Sequence, residues 1–264
     1  MAEDSSRDID KLRKMWDERA ERYDQWYQTF QGAVEHRVDL ELLKRHLPAD
    51  RSAKILDAAG GTGRITLPLA EMGYPVTLCD ISLGMLGVAR RKLRKEGVAD
   101  RANILECDVR ALPFQDESFD FVLCWNGMAE AAGECVRVTR KGGKVSIFLV
   151  NKWSAVINGF YQDPASTLAS IESSPAYLED EGWSYRAVSA EEARELFEGL
   201  GISVLDIYAV CGWMCVLSIP EEARESRDWD EQFFEQTVQM VTKLCEEPSV
   251  SGMSRHLVLY GEKR

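Results

Sequence analysis

Two carboxylates and three glycines define the chemistry open to this 264-residue sequence. Asp57 closes the short apolar run Ile55, Leu56, and Asp80 closes a second run, Pro75 to Cys79. Between them Gly60, Gly61 and Gly63 let the backbone turn sharply and approach a ligand closely. An acidic residue at the tip of a second strand, here 17 residues after Gly63, accepts hydrogen bonds from both ribose hydroxyls in nucleoside-binding α/β folds. The pyrophosphate fingerprint needs glycine at the first, third and sixth positions, and no register of these three supplies it, which argues against NAD. The bland alternative is a glycine turn that only joins a strand to a helix.

These residues need elements to hold them. Ile55 and Leu56 are the kind of apolar run that a parallel strand buries on both faces, and Thr62 to Ala70 has helical spacing at Ile65, Leu67 and Leu69. Strand, turn and helix make the first half of a doubly wound α/β unit. Further along, Ser82 caps a helix to Glu96 that Gly97 ends. Strands follow at Asn103 to Cys107 and Phe119 to Leu123, then a helix over 129–139, the pair Gly142-Gly143 and a strand over 144–150. Ahead of this core, apolar residues at helical spacing predict one helix over 9–30, broken near Asp24, and a second over 33–46 stopped by Pro48. Ser189 caps a helix to Leu200, Ile202 to Val210 and His256 to Tyr260 are strands, and 228–246 is helical.

The formal net charge of −12 disfavours broad capture of nucleic acid or anionic membrane. The dense basic run from Arg90 to Lys95 reads as a solvated helix face. No run approaches the roughly 18 apolar residues of a membrane span, and MAEDSSRDID has no feature of a signal or transit peptide, so a cytoplasmic location is expected. Seven cysteines show no CxxC pair and no zinc spacing, which predicts free thiols and no metal. Cys124, Trp125, Asn126 and Gly127 leave the fourth strand at the carboxyl edge, where open α/β sheets bind ligands.

The phrase Asp57, Ala59, Gly61, Gly63 resembles the first motif of the class I S-adenosylmethionine-dependent methyltransferases, with Ala59 in the place usually held by the first glycine. Asp108-Val109 followed by ALPFQDESFDFVLC resembles the stretch with which that family clamps the adenine. VTLCDIS, Asn151 and the ending EEPSV…SRHLVLYGEKR are similar to the group containing the bacterial enzyme that methylates tRNA carboxymethoxyuridine. A shortened loop after Asn126 and the negative charge argue against transferring the tRNA activity itself.

The resemblance implies an α/β, Rossmann-like, seven-stranded and mostly parallel sheet with helices on both faces, in a single domain. Residues 1–48 would be an N-terminal helical lid, 49–150 the cofactor-binding core, and 151–188 with 211–254 substrate-cap insertions. It implies S-adenosyl-L-methionine held by Asp57, Ala59, Gly60, Gly61, Gly63, Asp80, Ile81, Met85, Asp108, Val109 and Trp125, with Arg37 forking onto the methionine carboxylate. Tyr23, Tyr27, Trp125 and Asn126 are the acceptor-side candidates. Core packing for Tyr23 and Met85 and a surface charge for Arg37 are the competing readings. The implied function is methyl transfer to a small-molecule acceptor, with a wobble-uridine carboxylate of tRNA or a non-catalytic S-adenosylmethionine-binding regulator as alternatives. A monomer or homodimer is expected, and no general base stands out.

Overall fold

The computed structural model describes residues 2–125, 129–154, 164–173, 176–180, 183–211 and 219–264. Asn126, most of the NKWSAVINGFYQDP stretch and Cys215 lie outside the described residues.

Strands β1 (Ile55–Ala58), β2 (Val76–Asp80), β3 (Ala102–Glu106), β4 (Phe119–Cys124) and β5 (Thr139–Asn151) form a parallel block in the order β3-β2-β1-β4-β5. Central strand β1 is buried at every position, as a parallel strand covered on both faces must be. Its register places Asp57 beside Leu78 and Leu123, and Ala58 beside Cys79 and Cys124, so β1, β2 and β4 end together on one edge. Strand β9 (His256–Lys263) runs antiparallel to β5, and β8 (Ile202–Val210) antiparallel to β9. These seven strands are the expected sheet with its closing antiparallel pair.

Two more strands, β6 (Ala176–Asp180) and β7 (Trp183–Val188), lie within the 151–188 insertion, where the resemblance implies a helical cap and no strand. Val150 pairs with Ala187 of β7 and with His256 of β9, so β7 and β9 occupy opposite edges of β5. Strand β4 shares β7's edge, and its pairing with β5 stops at Ile147. The β6–β7 hairpin therefore extends the sheet beyond the carboxyl end of β4. Helix α6 (Pro164–Glu172) precedes it, and α7 (Ala190–Gly199) follows, started by a capping box between Ser189 and Glu192.

The amino-terminal helices break where local chemistry demands it. Helix α1 (Ala2–Tyr23) ends before a short 3₁₀ turn at Trp26–Gln28, and α2 (Phe30–Lys44) starts when the Thr29 hydroxyl accepts from the Gly32 N–H. A Cβ on Gly32 would lie 2.1 Å from the Trp26 carbonyl oxygen, so the turn requires glycine there. Helix α3 (Thr66–Glu71) is shorter than the expected 62–70, because Gly61 and Gly63 take φ values of +55° and +72°, outside helical space. Helix α4 (Leu83–Lys95) follows β2, and α5 (Ala132–Val138) follows β4. Helices α8 (Glu221–Arg224) and α9 (Glu231–Glu246) pack against α2. No described helix is long and apolar enough to cross a membrane.

Candidate cofactor and acceptor site

Asp80 sits at the tip of β2 and is almost wholly buried. Its Oδ2 accepts from the Gly61 N–H at 2.9 Å and its Oδ1 from the Ser82 N–H at 2.9 Å. The carboxylate thus ties the glycine turn to the start of α4. Burial raises its pKa, and the bonds from the Ser82 and Gly61 N–H groups oppose that rise. A carboxylate has about four lone-pair sites, so after the N–H groups of Ser82, Gly61 and Ile81 it retains acceptor capacity for a ligand hydroxyl. A Cβ on Gly61 would enter a gap 4.0 Å from both Asp80 Oδ2 and Met85 Sδ, which is the space such a ligand would use. These groups fit the nucleoside end of S-adenosylmethionine.

Asp57 faces inward instead. It is 2 % exposed, and the Thr66 hydroxyl donates to its Oδ2 at 2.6 Å. Burial pushes its pKa up to about 6 despite that bond. Gly60 packs behind it, where a Cβ would meet Leu78 at 2.2 Å and the Asp57 carboxyl at 2.6 Å. Gly63 closes on Ala89 with 3.3 Å for a Cβ. Ala59 adopts a φ of +57°, the left-handed conformation that costs a side-chain-bearing residue about 1–2 kcal/mol.

Helix α1 lies across this turn. Asp17 Oδ1 accepts from the Ser82 hydroxyl and from the Gly84 N–H, and Arg13 Nε donates to the Ile81 carbonyl at 3.3 Å. Asp24 takes the Thr62 hydroxyl at 2.6 Å and the Lys92 ammonium at 2.8 Å. Met85 packs with Ala20, Trp16 and Tyr23 under the same helix. Ile81 and Met85 thus line the joint between α1 and the turn. Asp108 and Val109 follow β3, with Val109 buried and the Asp108 carboxylate gripped at both oxygens by Arg110. Burial tends to raise the Asp108 pKa, but the Arg110 bonds outweigh it and hold it below the usual range.

The structure does not bring Arg37 to the turn. Its guanidinium faces α9 and pairs with Glu41 at 3.1 Å and Glu235 at 3.3 Å. A buried cation stands beside the glycine turn instead, Arg64, directly after Gly63. Its side chain is 14 % exposed, and its Nη1 donates to Asp39 Oδ2 at 2.9 Å and to His36 Nδ1 at 3.1 Å. Its Cζ lies 4.8 Å from the Tyr27 ring centre and 5.9 Å from that of Trp125. Burial pushes the Asp39 pKa up to about 6, against the pull of Arg64. Burial, then Arg64, lowers His36 to about 4. A guanidinium N–H can only donate, so neutral His36 accepts at Nδ1 and carries its proton on Nε2.

Tyr23 and Tyr27 stand beside this cluster, their ring centres 6.0 Å apart, and burial raises the Tyr27 hydroxyl's pKa. Trp125 leaves β4 with its Nε1–H donated to Ser146 Oγ at 2.9 Å and its ring edge against Phe148. Sequence reasoning missed Arg64, Asp39 and His36. The signal was Asp39, an acidic residue on the otherwise apolar face formed by Val34, Val38 and Leu42.

Among the described residues no group of three His, Cys, Asp or Glu side chains is arranged to hold a metal ion.

Residues 55–143 match the family described as methyltransferase domain. The ubiquinone/menaquinone biosynthesis C-methyltransferase UbiE of Pectobacterium atrosepticum is 35% identical over 111 residues, covering 39% of this chain and 44% of that protein. The chain thus spans less than half the length of that relative. Among solved structures, a Thermotoga maritima S-adenosylmethionine-dependent methyltransferase, described as a possible histamine N-methyltransferase, superposes with a TM-score of 0.58 at 17% identity, covering 95% of this chain and 99% of that one. A Haemonchus contortus phosphoethanolamine N-methyltransferase in complex with phosphomonomethylethanolamine and S-adenosylhomocysteine gives 0.59 at 19% identity, covering 91% of this chain and 58% of that one. At these identities the structural likeness establishes the fold.

Proposed function

We propose, from the premise that residues 55–143 form a class I S-adenosylmethionine-dependent methyltransferase domain, that the chain transfers a methyl group from S-adenosylmethionine to a small-molecule acceptor in the cytoplasm. One observation carries the reading: the Asp80 carboxylate joined to the Gly61 N–H, at the carboxyl edge of the sheet and beneath α1.

In this reading Asp80 receives the ribose hydroxyls. Gly61 supplies bare backbone, and Ile81, Met85, Asp108 and Val109 border the adenine. The cofactor supplies a methyl group on a sulfonium, already activated for displacement. The chain's own part is alignment and exclusion of water. Helix α1 and the turn that follows it serve the second task, spanning the glycine turn through Asp17 and Asp24. His36 is no base for the reaction, because Arg64 occupies the lone pair of its Nδ1. A small acceptor suits both the charge of −12, which opposes a polyanion such as tRNA, and the recessed position of Arg64.

The test is calorimetric titration with S-adenosylhomocysteine, S-adenosylmethionine and NAD, followed by transfer of a radiolabelled methyl group to total tRNA and to a small-metabolite extract. Binding of the two adenosyl ligands with label in the metabolite fraction is expected. Label in tRNA would return the acceptor to a wobble uridine, and binding without transfer to any fraction would leave a regulator. Preference for NAD would overturn the site assignment.

A further inference from the structure

Arg64 is more elaborately held than an ordinary surface arginine: its side chain is 14 % exposed and its described hydrogen bonds all leave from Nη1. Nη1 is occupied by Asp39 and His36. Among the described residues no hydrogen bond takes Nε or Nη2. The guanidinium lies beside the rings of Tyr27 and Trp125. All these partners belong to α2, the turn before it and the exit of β4. None belongs to the β2–α4 turn where Asp80 stands. A neutral, wholly apolar guest here would cover guanidinium N–H groups without satisfying them, an unfavourable arrangement.

Building on the methyl-transfer reading, we propose that Arg64 is a specificity-determining residue: its Nε and Nη2 edge forks onto a carboxylate of the methyl acceptor, whose planar body rests against Tyr27 and Trp125. Asp39 and His36 are the positioning residues. They fix one end of the guanidinium so that the other keeps the fork geometry that matches a carboxylate. Lysine would keep the charge and lose the fork.

The test uses the full chain and two fluorinated probes of equal shape, 4-fluorobenzoate and 4-fluorobenzamide, followed by ¹⁹F NMR with saturating S-adenosylhomocysteine and, in parallel, on the free protein. The wild-type chain is expected to bind the benzoate about tenfold more tightly than the benzamide, and Arg64→Lys, which keeps the charge without the fork, to lose most of that preference. Asp39→Asn, which can still accept from Arg64, is expected to keep it. Thermal melting and titration with 5′-methylthioadenosine, which lacks the amino-acid carboxylate, report whether each variant is folded with an intact nucleoside site. Equal binding of the two probes by the wild-type chain, or an Arg64→Lys chain that prefers benzoate as strongly as wild type, would overturn the proposal. So would an Arg64→Lys chain that loses S-adenosylhomocysteine but keeps 5′-methylthioadenosine, because the fork would then serve the cofactor's own carboxylate. Failure of the wild-type chain to bind either adenosyl ligand would count against the methyl-transfer reading alone. Arg64-dependent benzoate binding on the free protein is scored separately.

Discussion

Asp17 Oδ1 accepts hydrogen bonds from both the Ser82 hydroxyl, at 2.6 Å, and the Gly84 N–H, at 2.8 Å. A carboxylate of α1 therefore completes the cap of α4, with Ser82 Oγ itself accepting from the Met85 N–H at 3.0 Å. Helix α1 is thus bonded to the same few residues that follow Asp80. Backbones meet closely here, since a Cβ on Gly84 would stand 3.0 Å from the Asp17 Cα.

Asp17→Ala should cost about 1–2 kcal/mol of stability, as loss of a helix cap does. It should also weaken S-adenosylhomocysteine binding, chiefly through faster release. Urea melts and stopped-flow release rates check both effects. A variant of unchanged release rate would mean that α1 is a structural brace and not a lid.

Asp80→Asn should bind S-adenosylhomocysteine roughly tenfold to a hundredfold less tightly, the cost of replacing a charged acceptor by a neutral one. Stability should hardly fall, because burial already disfavours the Asp80 charge. Calorimetry paired with a thermal melt separates the two quantities. Undiminished affinity would remove Asp80 from the nucleoside site.

Ala59→Gly should stabilise the chain by about 0.5–1 kcal/mol. It relieves the strain of a φ of +57°, less the greater entropy that glycine has when unfolded. A β-branched residue at the same position should destabilise more than alanine does. Paired denaturant midpoints for the glycine and valine variants give the sign directly.

Asp57 should impose a pH dependence opposite to that of a salt-bridged carboxylate. Its ordinary value of 3.8 rises to about 6 in the fold through burial, so between those values the folded chain binds more protons than the unfolded one. Its stabilising share is fully present below pH 3.8 and is lost as pH climbs through 6, by up to about 3 kcal/mol. Asp57→Asn, whose amide oxygen can still accept from Thr66, should flatten that part of the curve. Urea titrations at pH 4.5 and 7 should show wild type losing more stability than the variant between the two. Parallel curves would refute the buried-charge account.

How much of this was legible follows from the range of each interaction. Ser82 and Ser189 announce caps because a cap is settled within four residues, and both helices start there. The order of β1 to β5 was readable because short buried runs alternate with helical spacing. Arg37 and Arg64 show the limit. On α2 one residue's step is about 100°, so His36 and Asp39 face the glycine turn while Arg37 turns to Glu235 on α9. Nothing local to Arg37 or Arg64 says which face will be covered by which neighbour; the fold back of α2 decides it. The β6–β7 hairpin was hidden for a similar reason, since among the described residues its ladder to the parallel block is confined to the last two residues of β5.

That narrow attachment has an evolutionary and practical consequence. Only Val150 and Asn151 pair with Ala187 and Val188, and just beyond them the Lys152 ammonium reaches the Ser173 carbonyl and Glu192, at 3.0 and 3.3 Å. The β6–β7 hairpin should therefore tolerate replacement better than the strands below it, because its exchange breaks only that two-pair ladder and leaves the β1–β2 and β1–β4 registers that place Asp57 and Asp80.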